Sequence, residues 1–364
     1  MEIKFTKGSV KEILSTVCHI ANSKIGSAYS CVKLSKKDDE LKIYATDGVT
    51  ISIFTVKLIG NNADEGEMIM SARELSALVD GAPEENMTIK DWDNKVQFES
   101  GSFKARLAKL SGEIFPSFDI KVNGDTKIDF LSFKRIIEQA LIFVDVKNQG
   151  VLQGVAFCEG YVVGASGPAV TLIKDDRIKF SPAVIMPLHI LNIISNIQTD
   201  ATMIEIDTKD GKILFKLGTI LLGSQMIDGK YPDIISAMGR WSSNLSLVVN
   251  KNEILGMIKR ARLLMRGGKD GAMLIVSKNG GATTYCIKFA DAEGKETAES
   301  YLYISWDGEE FEGKFNLSLL NDAVSLVRGT EVHIKLGVKN EAGALQPLII
   351  EEGGFKSVLM GMRI

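Results

Sequence analysis

The sequence predicts an α+β protein made of three tandem copies of one unit, each with two amphipathic helices packed on antiparallel sheet. Three observations predict it. Helix-period apolar segments recur at a spacing close to one domain length, alternating strand-like runs with polar turns follow each of them, and two stretches close in the same way. Those closing stretches are "KLSGEIFPSFDI" (Lys109 to Ile120) and "QMIDGKYPDI" (Gln225 to Ile234), each a short strand-like run, a turn and an aromatic-proline-acid exit. A chain of 364 residues exceeds what one hydrophobic core usually organises, so three domains of about 120 residues suit it. Domains over 1–120, 121–243 and 244–364 are expected, with boundaries near "DIKVNGDT" (Asp119 to Thr126) and "AMGRWSSN" (Ala237 to Asn244).

The first helix of each copy is expected over Gly8 to Asn22, Leu131 to Asp145 and Asn250 to Met265. Apolar residues fall at helical spacing: Val10, Ile13, Leu14 and Val17, then Phe133, Ile136, Ile137 and Ala140, then Ile254, Leu255, Ile258 and Ala261. Ser9 with Glu12 and Asn250 with Glu253 read as N-caps followed by an acid three residues on. A second helix is expected from Ser71, from Pro187 and from Asn316. Ser71 pairs with Glu74 in a capping box, and Pro187 suits a first helical turn, where its missing N–H would be unpaired anyway. Strands occupy "LKIYATDGVTISIFTVKL", "MTIKDWDNKVQFESGSFKARLAKL" and "MIEIDTKDGKILFKLGTILLGSQMI", the last turning at Lys209-Asp210-Gly211 because Gly accepts positive φ.

The sequence offers little for catalysis. "GEEFEGKF" (Gly308 to Phe315) has G-x-x-x-x-G-K spacing, but Phe315 stands where Ser or Thr must hold magnesium, and Glu309, Glu310 and Glu312 would repel phosphate. His19, His189 and His333 are scattered and none lies in a metal-binding context. The carboxylates of "ATDG" (Ala45 to Gly48) and "DWD" (Asp91 to Asp93) read as turn formers. Cys18, Cys31, Cys158 and Cys286 form no C-x-x-C pair and read as free thiols. No catalytic residue, metal or cofactor is therefore expected. No apolar run reaches membrane-spanning length and the start "MEIKFTKGSVKE" lacks a signal-peptide layout, which makes a cytoplasmic protein the expectation. A net charge of −3 gives no global pull on nucleic acid, so any such contact must come from local charge. The one unusual charge feature is a basic stripe in the third copy, where Lys259, Arg262 and Arg266 recur at i, i+3, i+7 with Arg260 beside them.

The whole chain resembles the bacterial sliding clamp, the beta subunit of the replicative DNA polymerase. The likeness rests on the threefold repeat together with "LKIYATDGVTISI", "FPSFD", "SQMIDGKYPDI", "KFNLSLLNDAVSLV" and the terminal "SVLMGMRI", in that order. It implies a head-to-tail homodimer forming a ring, with helices lining a hole and sheets forming the rim. The function it implies is that of a non-enzymatic processivity factor that encircles duplex DNA without reading its sequence and tethers the polymerase. The alternative is a clamp-fold scaffold or inhibitor that no longer encircles DNA.

On that resemblance, DNA contacts are expected from Lys7, Lys11 and Lys24 in the first copy, Lys134, Arg135, Lys147 and Gln149 in the second, and Lys251, Lys259, Arg262 and Arg266 in the third. Lys24 matches a basic position at which the family touches DNA. The loop "DVKNQG" (Asp145 to Gly150) falls where the family has a DNA-contacting loop, but is shorter and lacks aromatics. The seam between subunits is expected at "SFKARLAK" (Ser102 to Lys109) and "ESYLYISW" (Glu299 to Trp306), with Lys104 and Arg106 facing Glu296 and Glu299. The family also binds short, partly hydrophobic peptides from polymerases and the clamp loader in a pocket between the second and third domains. Here Leu152, Leu319, Val358, Met360 and Met362 match its lining, with Ser166, Gly167 and Met238 nearby. This chain departs from the family there: "GASGPAVTL" (Gly164 to Leu172) replaces a T-D-G-H-R-like turn, Leu319 stands for Tyr, and Gly361 for Pro.

Overall fold

A computed structural model describes the chain except residues 22–27, 61–63, 111–114, 145–146, 148–149, 239–240, 242–244, 265–270, 279–284, 292–296, 305–309, 338–346 and 363–364. The first copy contributes β1 (Glu2–Thr6), α1 (Lys7–Ile20), β2 (Cys31–Lys37), β3 (Glu40–Thr46), β4 (Thr50–Lys57), β5 (Gly66–Ser71), α2 (Ala72–Gly81), β6 (Asn86–Trp92), β7 (Lys95–Ser100) and β8 (Phe103–Ala108). The second contributes β9 (Thr126–Asp129), α3 (Phe130–Leu141), β10 (Gly154–Cys158), β11 (Tyr161–Ala165), β12 (Ala169–Lys174), β13 (Val184–Pro187), α4 (Leu188–Asn196), β14 (Met203–Lys209), β15 (Lys212–Leu217) and β16 (Ile220–Gln225). A short helix, α5 (Ile234–Met238), follows. The third contributes β17 (Leu245–Asn250), α6 (Lys251–Leu264), β18 (Gly271–Lys278), β19 (Tyr285–Asp291), β20 (Thr297–Ile304), β21 (Phe311–Asn316), α7 (Leu317–Leu326), β22 (Glu331–Leu336), β23 (Leu348–Glu352) and β24 (Phe355–Leu359).

The same strand order appears in every copy. β1-β6-β7-β8, β9-β14-β15-β16 and β17-β22-β23-β24 are one series, and β5-β2-β3-β4, β13-β10-β11-β12 and β21-β18-β19-β20 are the other, all antiparallel. Two of these quartets stand alone and the other four fuse in pairs into eight-stranded sheets. One fusion is β4 on β16, with Ile53 opposite Leu221, and the other is β12 on β24, with Val170 opposite Val358. The chain thereby divides into two units, Met1–Lys134 with His189–Met226, and Arg135–Leu188 with Ile227–Ile364. Each holds one four-stranded and one eight-stranded sheet, and strands of the second copy enter both.

Apolar spacing sets which helix faces are covered. Val10, Leu14 and Val17 of α1 are buried, as are Phe133, Ile136, Ile137 and Ala140 of α3 and Ile254, Met257, Ile258 and Ala261 of α6. In the second unit α6 and α7 share one core with both sheets, through Leu247, Leu274, Phe289, Leu320, Val324 and Ile350 among others. The helix starts differ in detail from the sequence expectation. α1 begins at Lys7 with Thr6 as its cap, whose hydroxyl accepts from the Ser9 N–H (3.2 Å); Ser9 instead donates its own hydroxyl to the Thr6 carbonyl (2.7 Å). The reason is that Thr6 ends β1 in extended conformation, as a cap must. Pro187 likewise closes β13, paired with Gly154, and the helix starts one residue later. Ser71, Asn250 and Asn316 do cap, accepting from the N–H groups of Glu74, Glu253 and Leu319. Asp210 and Gly211 both have positive φ, as the β14–β15 turn requires.

Candidate nucleic-acid interface and partner surfaces

Every α-helix ends with carbonyls that lack an intrahelical partner. In all three copies the same one is taken up by a lysine ammonium from the preceding helix. Lys7 donates to the Ala82 carbonyl just past α2 (3.2 Å) and to that of Asp80 in its last turn (2.8 Å). Lys134 donates to the Ile197 carbonyl after α4 (2.8 Å), its Nζ also lying 5.1 Å from the Phe130 ring centroid. Lys251 donates to the Val327 carbonyl after α7 and to that of Ser325 (3.0 Å). The equivalence is fixed by backbone hydrogen bonds, since Ala82, Ile197 and Val327 each donate an N–H three residues back, to Val79, Ile194 and Val324. Lysine reaches this carbonyl from the first helical position in copies one and three, and from the fifth in copy two, whose helix begins at Phe130.

The other cations expected at DNA are placed differently. Lys11 is exposed beside Asp80 (3.7 Å), a pair whose solvent screening leaves it weak. Arg135 is exposed on α3, and Lys147 is exposed in the loop after it with a partner of its own. Lys259 and Arg262 are exposed on α6, where they line a groove with Leu255, Gly256, Asn321 and Ser325. Lys24, Gln149 and Arg266 lie outside the described residues.

Both strands expected at the seam are sheet edges. β8 ends the order β1-β6-β7-β8, and β20 ends β20-β19-β18-β21. β8 is largely exposed, including Phe103. Lys104 and Arg106 meet residues of their own sheet: Lys104 Nζ lies 3.4 Å from Glu99 of β7, and Arg106 Nε donates to the side-chain oxygen of Gln97 in β7 (3.3 Å) while its guanidinium lies over the Trp92 ring of β6. Hydrogen bonds from Gln97 and Lys90 hold the Glu99 carboxyl below its usual pKa. Glu296 and the side chain of Glu299 lie outside the described residues.

The residues expected in a peptide pocket separate into four groups. Leu152, Met238 and buried Val358 join an apolar cluster on the β12–β24 fusion, with Ala165, Val170, Leu172 and Ile349. Leu319 packs instead against the core under α7. Met360 and Met362 are 38% and 39% exposed, the Met362 thioether lying beside Gly271, and their N–H groups are held by the Pro168 and Lys314 carbonyls (2.9 and 2.8 Å). Ser166 and Gly167 form the turn before β12, where the Ser166 N–H donates to the Ala169 carbonyl (2.8 Å). Tyr231, Ile234 and Trp241 also pack on this cluster, which sequence reasoning did not include. The signal for them was the aromatic-proline exit itself, whose tyrosine returns to the sheet.

Phe311–Asn316 is a strand with Phe315 buried, so its half of the G-x-x-x-x-G-K stretch forms no phosphate loop. His19 and His189, distant in sequence, line one cavity with Asp47. Burial lowers the His189 pKa although the Asp47 charge opposes it, and Nε2 lies 3.0 Å from the Ser224 hydroxyl. Asp47 is a turn former as expected, accepting from the Val49 and Thr50 N–H groups. Among the described residues no group of three or more His, Cys, Asp or Glu is placed to hold a metal ion, and Cys18, Cys31 and Cys158 are free thiols. Among the described residues no helix is long and apolar enough to cross a membrane.

The backbone likeness decides the fold. A sliding clamp from Pseudomonas aeruginosa, in a structure bound to griselimycin, superposes over 100% of both chains with a TM-score of 0.89 at 20% identity. The fold is that of the bacterial beta sliding clamp. The sliding clamp of Bacillus subtilis superposes with a TM-score of 0.86 at 21% identity, over 100% of this chain and 99% of that one. In sequence, the beta sliding clamp of Bacillus subtilis strain 168 is 24% identical over 88% of this chain and 87% of its own length. That of Lactococcus lactis is 24% identical over 97% and 98%. No protein-family model matches the sequence.

Proposed function

We propose that this chain is a non-enzymatic sliding clamp: a ring-shaped homodimer that encircles duplex DNA irrespective of sequence and tethers a replicative polymerase. The observation that carries the reading is the clamp fold over the full chain, in which three copies present the same strand orders. This reading takes three domains over 1–120, 121–243 and 244–364, with Lys11, Arg135, Lys147, Lys259 and Arg262 as the accessible cations for phosphate. Lys7, Lys134 and Lys251 hold helix ends and serve DNA only indirectly. A clamp needs attraction to the backbone and no base readout, which cations on helix faces of an otherwise acidic protein supply.

Ring closure pairs the edges β8 and β20 of different subunits, Lys104 and Arg106 then facing Glu296 and Glu299. In sedimentation the wild type should run as a dimer and a Lys104→Glu, Arg106→Glu variant as a monomer; a dimeric variant would move the seam elsewhere. A peptide site centred on Leu152, Val358, Met360 and Met362 takes the partly hydrophobic tails of a polymerase and a loader. Met360→Ala should weaken a polymerase-tail peptide in calorimetric titration, and equal affinity would displace the site. The encircling role is tested by loading onto nicked circular plasmid and then linearising it. Protein retained on the circle and lost from the line supports a clamp; no retention on either supports a clamp-fold scaffold instead.

A further inference from the structure

We infer that a trough beside Trp241, on the sheet face where β12 meets β24, takes an acidic flank of the peptide whose apolar part the proposed partner site holds. This charge preference rests on that site being a peptide site and adds to it the chemistry of the partner.

The two sheet fusions match position by position. Asp47 donates its N–H to the Thr50 carbonyl (3.3 Å) as Ser166 does to that of Ala169 (2.8 Å). At the other end Thr55 donates to the Thr219 carbonyl (3.1 Å) as Lys174 does to that of Gly354 (2.8 Å). Ladder register then matches Leu221 with Lys356, Leu214 with Ile349, Lys216 with Glu351 and Asp207 with Lys335.

At the first fusion the chain covers this face with its own backbone. Ile120 and Val122 pack with Ile53, Leu214 and Leu221, and the Asp207 carboxylate accepts from the N–H groups of Asn123, Gly124 and Asp125. There an acid receives an occupant that presents donors. At the second fusion a cavity of about 380 Å³ lies on the matching face, with Leu172 and Ile349 from the sheet and Met238 and Trp241 at its side. Lys174, Lys335 and Lys356 line it where the first fusion has Thr55, Asp207 and Leu221. The one carboxylate among them, Glu351, pairs with Lys335 and, at 3.6 Å, with Lys356. Lys174 is exposed and pairs with no carboxylate among the described residues.

Three lysines around one carboxylate repel an occupant that presents donors and attract one that presents acids. The apolar floor is shared with the partner cluster, since Leu172, Ile349 and Met238 pack with Val170 and Val358 there. One extended peptide can therefore set its apolar residues on Val358 and an adjoining acid at Lys174.

The test titrates the whole protein calorimetrically with four synthetic peptides built on one polymerase-tail apolar segment: three aspartates before it, three after it, and the asparagine counterpart of each. One aspartate peptide should bind about 2- to 10-fold tighter than its counterpart at about 50 mM salt, the range that two exposed ion pairs give. The gap should close toward about 0.5 M salt, where exposed charges are screened. Lys174→Glu should abolish the preference while leaving the asparagine peptides within about twofold of wild type, and Lys174→Gln serves in its place should that variant melt early. Equal affinity within both pairs overturns the acidic flank, and a preference that survives these substitutions overturns its placement at Lys174. Failure of the peptide site itself is distinct, for then none of the four peptides binds the wild type and the trough loses its ligand.

Discussion

Lys251→Met separates a lysine that builds the helix pair from one, Lys259, proposed to meet DNA. Methionine keeps the apolar stem of the side chain but removes the ammonium and with it two hydrogen bonds, to the carbonyls of Ser325 and Val327. A hydrogen bond to a charged group contributes about 1.5–3 kcal/mol when well buried. Lys251 is half-buried, so roughly 1 kcal/mol for each bond is the better figure. Removing a cation from the C-terminal end of α7 adds about 0.3–1 kcal/mol. The total is about 2–3 kcal/mol, which for a domain of this size is a melting shift on the order of 10 °C in the transition of the third copy. Lys259→Met, on the same helix but exposed, should change stability by less than about 0.5 kcal/mol. The assay is thermal unfolding of both variants by circular dichroism, alongside the salt dependence of duplex binding. Lys251→Met should melt early and bind with the wild-type salt slope, while Lys259→Met should do the reverse. If Lys251→Met melts with the wild type, or flattens the slope as Lys259→Met does, the division of labour among these lysines is wrong.

Two further outcomes follow from packing and charge. A Cβ built on Gly164 of β11 would lie 1.8 Å from the Ala140 carbonyl oxygen, which belongs to the backbone of α3 and cannot step aside; Gly164→Ala should therefore force helix from sheet and give aggregated or early-melting protein, and a variant melting within about 2 °C of wild type would contradict that contact. Glu351 is partly desolvated, which raises its pKa, but the ion pairs with Lys335 and Lys356 outweigh this and hold it below its ordinary value of 4.5. A depressed carboxylate stabilises the fold above its ordinary pKa and loses that contribution as pH falls through the folded value. Glu351→Gln should then lower the melting temperature at pH 7, with the gap to wild type closing as pH falls from about 5 toward 3, and a gap constant over that range would refute the linkage.

Much of this fold was legible because its signals are local. Helix-period apolar positions such as Phe133, Ile136, Ile137 and Ala140 are all buried, and Asp210-Gly211 adopts the positive φ that its strand–turn–strand pattern demands. Both strands chosen as seams are edges. What the sequence could not disclose was reach between elements. Lys7, Lys134 and Lys251 sit at surface positions of their helices, and periodicity cannot tell an ammonium pointing at solvent from one that finds a carbonyl at a helix end 63 to 74 residues away. The same holds for Tyr231 and Trp241, which fold back onto the β12–β24 cluster from a segment that reads as a linker. It holds also for Leu319, at a position matched to the pocket but turned to the core beneath α7. Asp207 is a further case: a single aspartate within β14 accepts from the N–H groups of Asn123, Gly124 and Asp125, over 80 residues earlier, and anchors the stretch that leads out of copy one.

Repetition constrains such a chain and also frees it. The lysine-to-carbonyl bond must recur because each copy has a second helix whose end would otherwise be unsatisfied, and it recurs even where the lysine has moved by one helical turn, from the position of Lys7 to that of Lys134. The carbonyl, not the residue number, is the fixed feature. Exposed positions carry no such obligation: eight residues after Lys7, Phe130 and Lys251, which open the first helices, stand Ser15, Glu138 and Lys259. Surface charge can therefore differ among the copies while the bond that closes each helix pair is common to all three. That separation predicts where substitutions will be read: loss of an inward-reaching lysine appears in the melting curve, and loss of an outward one appears in the response to salt.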